Sequence, residues 1–221
     1  MSRPLAVGAA WLAFVIGLLI GGEIGDLGSI AIGAAVGALL VVLGFSAAWP
    51  RRPLPQRNPA TRVRLGVFAI AVGVAFGVAN LAANWLIAQR DPAIHAVLAE
   101  RMATMRPLNA IVAAPLVEEV AVRLFLMSVL AWLAFRFTKQ DRLSFAIALC
   151  GSSLVFALLH LERPFPGDPA LASYYRTTLI VKYTVASLPL GWVFWRWGLP
   201  YSILYHAAAN AVHLALQKNV F

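Results

Sequence analysis

The sequence predicts an all-α, polytopic transmembrane helical bundle of about seven helices, six to eight, on three observations. Of 221 residues, 61% are hydrophobic and only 12% charged, about half the ~25% charged share of soluble domains. Apolar runs of about 20 residues, enough to cross a ~30 Å hydrocarbon core, recur from Leu5 to Leu216. Nearly all the charge falls in clusters between those runs: Glu23 and Asp26, then 51–64, 90–106 and 136–142. Unbroken apolar runs exclude a β-barrel, whose strands alternate, so backbone groups in lipid must be satisfied within helices.

In order, the expected spans are 5–22, 27–49, 65–88, 107–135, 143–161, 178–197 and 199–217. The first follows Arg3, but Gly21-Gly22-Glu23 is a poor cleavage site, so it reads as a membrane helix rather than a signal peptide. The first three carry Gly17-x-x-x-Gly21, Gly33-x-x-x-Gly37 and Gly73-x-x-x-Gly77. Small residues at this spacing let helix backbones approach closely. Between the fifth and sixth spans, Pro164, Pro166, Gly167 and Pro169 predict a non-helical loop over Leu161 to Thr177, with Tyr174 and Tyr175 as interfacial anchors.

The 18 Lys and Arg against 9 Asp and Glu give a net charge of +9. In a membrane protein such an excess belongs in cytoplasmic loops, and no nucleic-acid partner is needed to account for it. Counting basic residues on alternate sides favours a cytoplasmic N-terminus, mainly through the Arg-rich segment 50–64. Cys150 has no partner for a disulfide or a CxxC site.

The fourth span holds what does not belong in lipid. Glu118 and Glu119 lie about eleven residues beyond Pro107, roughly 16 Å along a helix and near mid-bilayer. An ionisable residue at that depth is a functional hypothesis by default. Arg123 stands four residues after Glu119, on the same helix face and in the favourable acid-before-base order. Glu118 is turned ~100° away, which frees one carboxylate to face a cavity as a general base. Phe156 with His160, and His206 with Asn210, form i, i+4 pairs at the end of the fifth span and inside the last; His213 continues the second face. Alternating helix direction brings Glu118, His160, His206 and Asn210 to one half of the bilayer. They supply a base, a water-orienting group and oxyanion donors. A structural ion network around Glu119 and Arg123 leaves Glu118 unexplained.

These residues read Glu118-Glu119-Val-Ala-Val-Arg123, Phe156 to His160 and His206 to Asn210. Order and spacing resemble the CPBP, or Abi, family of intramembrane proteases, which includes the type II CAAX prenyl endopeptidases and is marked by Glu-Glu-x-x-x-Arg, Phe-x-x-x-His and His-x-x-x-Asn. The resemblance covers about 107–217 of a single domain, with 1–106 as scaffold. It implies an endopeptidase acting on a peptide or protein within or at the membrane, with catalytic residues on the fourth, fifth and last helices. Glu118 would activate water, assisted by His160, with His206 and Asn210 holding the oxyanion. Glu119, Arg123 and Phe156 would support them, and His213 lies outside the family pattern as a further supporting group. Such proteases are commonly classed as metalloenzymes. A divalent metal such as zinc would draw on His160, His206 and Glu118, but no His-Glu-x-x-His is present and ligation would occupy the evident base, so a metal-free glutamate mechanism is preferred. The rival classes are an ion- or proton-coupled transporter, which would show internal repeats and paired broken helices, and an idle partner-binding protein.

Overall fold

A computed structural model of the chain describes residues 3–21, 27–48, 58–161 and 168–217. Among the described residues there are eight helices and no strand. They are α1 (Arg3–Gly21), α2 (Leu27–Ala48), α3 (Pro59–Ala88), α4 (Pro92–Thr104), α5 (Asn109–Thr138), α6 (Asp141–Leu158), α7 (Pro169–Trp197) and α8 (Leu199–Gln217). Four of them, α3, α5, α6 and α7, are long and apolar enough to cross a membrane. In α1 and α2 the apolar stretches found among described residues are shorter, Val7–Leu19 and Ala35–Gly44. Helix α8 has 19 residues but is made more polar by His206, Asn210 and His213.

Three helices start earlier than hydropathy predicts, or where it predicts none, and all three start in the same way. Asn58-Pro59, Asp91-Pro92 and Asp168-Pro169 each put an amide or carboxylate oxygen at the N-cap and proline at the first helical position. The caps accept from Thr61 N–H at 2.8 Å, Ala93 N–H at 2.8 Å and Ala170 N–H at 3.2 Å. Proline's missing N–H costs nothing there, because the first turn has no intrahelical acceptor for it. The loop expected over Leu161 to Thr177 is therefore corrected: from Pro169 onward the chain is helical, and 162–167 lie outside the described residues. Tyr174 is exposed as an interfacial anchor should be, whereas Tyr175 is buried. It packs with Ile87, Ile94, Leu98 and Leu179, joining α4 to α3 and α7.

Small residues set the closest packing. A side chain at Gly73 or Gly77 would collide with the Tyr205 or Ala209 carbonyl, so α3 lies directly on α8. Gly17 meets Val117 and Leu116 of α5, and Gly37 meets the Phe14 ring of α1. The surroundings of Gly21 and Gly33 lie outside the described residues. Ala10, Phe14, Val41, Val120 and Leu124 form the cluster that seats α1 and α2 against α5.

Candidate active site

Helix α5 is not a uniform α-helix. Two π-helical stretches, Asn109–Ala113 and Glu119–Met127, flank the α-helical Ala114–Glu118, the kind of widened turn that recurs at functional sites. In the first stretch Ala114 N–H bonds back five residues to the Asn109 carbonyl. The same register would pair Ala110 with residue 115, but Pro115 has no N–H to give. Asn210 of α8 fills the gap: its Nδ2 donates to the Ala110 carbonyl at 2.7 Å. One of the four predicted site residues is thus tied to a backbone break in the helix that carries another.

The two glutamates take different environments. Glu119 and Arg123 are fully buried, with Nε 3.6 Å from Oε2. Arg123 also donates from Nη2 to Ser187 Oγ at 2.6 Å and lies 5.3 Å over the Phe156 ring. Glu118 keeps 30% of its side-chain exposure and lines a cavity of about 570 Å³ together with His160, His206, Asn210 and His213. The ~100° turn between neighbours on a helix makes this division, as the sequence predicts.

Both catalytic-candidate histidines are held by the same ring nitrogen. His206 Nδ1 is 3.0 Å from Glu119 Oε1 and His160 Nδ1 is 2.8 Å from the Phe156 carbonyl. Both partners are acceptors, so Nδ1 carries the proton and donates in each case. The distal nitrogens are left to the cavity, and that of His206 stands 3.7 Å from Glu118 Oε2. Phe156 sits among them, its ring centroid 4.4 Å from His160 and 6.2 Å from His206. Tyr183 covers the other side of His160, with centroids 4.5 Å apart and planes tilted by 31°.

A family model described as type II CAAX prenyl endopeptidase Rce1-like matches residues 100–212. The chain belongs to this family. No curated protein and no solved structure matches it. As a member of the Rce1-like family the protein is, at family level, a CAAX-protease-like intramembrane endopeptidase, and its several apolar helices accord with an integral membrane protein.

The structure brings together all the residues singled out in this Rce1-like chain, although the added helix α4 shifts Glu118 to the fifth helix and His160 to the turn after the sixth. It also adds residues that motif reasoning missed: Asn80 and Asn84 of α3, Arg101 of α4, and Tyr183 of α7, all on the cavity wall. Among the described residues, no group of three His, Cys, Asp or Glu side chains is arranged to hold a metal ion. With His206 Nδ1 committed to Glu119 and His160 Nδ1 to a backbone carbonyl, the Nε2 atoms of both rings are left at the cavity with Glu118, and these three groups would be the ligands of a metal if one bound. No step below is routed through a metal.

Proposed function

We propose that the protein cleaves a peptide bond in a membrane-associated substrate, such as the prenylated CAAX tail named in its family's description, through a water activated by Glu118. The observation that carries this reading is the division of labour between adjacent carboxylates. Glu119 is consumed by Arg123 and His206, whereas Glu118 faces the cavity beside two histidines whose Nδ1 protons are already placed.

In this reading Glu118 takes a proton from water as the oxygen attacks the scissile carbonyl. His160, its Nδ1–H donated to Phe156, offers Nε2 as the acceptor that orients the second water hydrogen. The tetrahedral oxyanion is held by the free Nδ2–H of Asn210 and by His206 Nε2–H. Donation from that nitrogen makes His206 an imidazolium, its charge set against Glu118 and Glu119. Glu118 then delivers its proton to the departing amine, so the base is regenerated. Arg123 is a positioning residue: it fixes Glu119, which fixes the His206 ring.

The test is Glu118→Gln in purified, membrane-reconstituted protein, with product peptides read by mass spectrometry. It conserves volume and removes the base, so cleavage should be lost with the melting profile unchanged. Wild-type turnover by this variant would overturn the assignment.

A further inference from the structure

The two histidines of the site are held by different means. His206 lies inside α8, buried, and its Nδ1 is fixed by Glu119, which Arg123 holds in turn. His160 has no such frame. It stands two residues past the end of α6, half-buried, in a turn closed by bonds from His160 N–H to the Ala157 carbonyl and Leu161 N–H to the Leu158 carbonyl, both 3.1 Å. Its ring is tied by Nδ1–H to the Phe156 carbonyl. One hydrogen bond restrains one atom of a planar ring; the plane can still rock about it and carry Nε2 away from the water it has to orient.

The plane is fixed by two aromatic rings. Phe156 packs on one side of the imidazole, centroids 4.4 Å apart and planes tilted by 44°; Tyr183 packs on the other, at 4.5 Å and 31°. Offset-stacked rings at such distances attract. Phe156 belongs to the same helical segment as His160 and cannot by itself hold the ring against the rest of the site. Tyr183 can, because it comes from α7 and is pinned there. Lys182 Nζ lies 4.4 Å and Arg101 Cζ 5.9 Å from its ring centroid, within cation–π range, and Lys182 is tethered to Asn84 of α3. One turn further on the same face of α7, Ser187 receives the Arg123 hydrogen bond. A helix that carries no motif residue thus braces the supports of both histidines.

We propose that Tyr183 is a positioning residue for hydrolysis: its ring, not its hydroxyl, sets the plane of His160 and so aims Nε2 at the water beside Glu118. This rests on the peptide-cleavage reading of the cavity.

The test follows the His160 ring and turnover in the same full-length protein in detergent micelles. Histidine is labelled with carbon-13 at Cε1; the chain has 4 histidines, and the His160 signal is assigned by its loss in His160→Gln. Protons over aromatic faces resonate upfield, so Tyr183→Leu should move the His160 Hε1 signal downfield, and Tyr183→Phe should keep it near its wild-type position. In hydrolysis of a labelled prenylated CAAX-type peptide, Tyr183→Leu should lower kcat about tenfold to a hundredfold with KM little changed. Tyr183→Phe should recover most of that loss. If Tyr183→Leu does not fold, Tyr183→Met takes its place, since a thioether fills the gap without a flat face. An unmoved His160 signal with wild-type kcat in the folded variant would overturn the proposal. So would a Tyr183→Phe protein as slow as Tyr183→Leu, or a raised KM at unchanged kcat, which would make Tyr183 a substrate contact. Wild-type protein that cuts no peptide, while Tyr183→Leu still moves the His160 signal, would overturn the protease reading and leave the bracing of His160 standing.

Discussion

Asn210 is asked to do two things, and the structure allows them to be separated. Its Nδ2 caps the Ala110 carbonyl, which Pro115 leaves without an N–H, and its second N–H is assigned to the oxyanion. Asn210→Ala removes both. Stranding an acceptor costs about 1–3 kcal/mol, and because the site is only half-buried and interhelical hydrogen bonds in membranes average below 1 kcal/mol, about 1 kcal/mol is expected. Loss of an oxyanion donor costs more, about 3–4 kcal/mol, or a hundred- to a thousandfold in kcat. Pro115→Ala returns an N–H five residues beyond Ala110, where the π register can use it. The double variant Pro115→Ala/Asn210→Ala should therefore recover about 1 kcal/mol of stability over Asn210→Ala while remaining slower by about a hundredfold or more. Stability is read by thermal unfolding in detergent micelles and kcat by single-turnover hydrolysis of a labelled peptide. Recovery of turnover along with stability would refute the oxyanion role, since Asn210 would then act only through the α5 backbone. An Asn210→Ala protein as stable as wild type would refute the orphaned-carbonyl account.

Other expectations follow from the same geometry. Glu119→Gln leaves Arg123 buried with a neutral partner, so stability should fall by about 3–5 kcal/mol, seen as lost expression and early unfolding; a well-folded but inactive variant would exchange the roles of the two glutamates. Gly77→Leu drives a side chain into the Ala209 backbone and should cost at least the 1–3 kcal/mol of an overpacked core, measured by thermal unfolding, with normal stability contradicting the close α3–α8 contact. Chelators should leave hydrolysis unchanged if a glutamate-activated water does the chemistry, whereas stoichiometric zinc that tracks activity through removal and return would overturn that preference.

The helices and the motif residues were legible for one reason: in an apolar chain, polar groups cost enough that their positions carry information. Glu118, Glu119 and Arg123 stand out against lipid, and i, i+4 spacing orients them without further input. The same reasoning reaches Asn84 and Lys182, which also interrupt apolar runs, once buried cations and amides are weighed alongside acids. Helix starts were less visible because hydropathy reports where lipid begins, not where hydrogen bonding does. Asn58, Asp91 and Asp168, each before a proline, mark those starts chemically, and prolines at 164, 166 and 169 read as helix breakers until Pro169 is seen as the first residue of a helix. Of the wide turns of α5, only the first has a local mark, Pro115, which leaves the Ala110 carbonyl without an N–H; the partner that answers it, Asn210, is supplied by tertiary structure.

The glycine contact between α3 and α8 bears on how such proteins can be recombined. The family match starts at residue 100, yet Phe76, Asn80 and Asn84 of α3 line the cavity, and they reach it because Gly73 and Gly77 let the two helices touch. A chimaera spliced at the boundary of sequence similarity would inherit the hydrolytic side chains but a foreign back wall. The unit that transfers intact is larger than the unit that is recognised: α3 must travel with α8, and a splice placed before Asn58 is the one expected to carry both turnover and substrate preference into a new host scaffold.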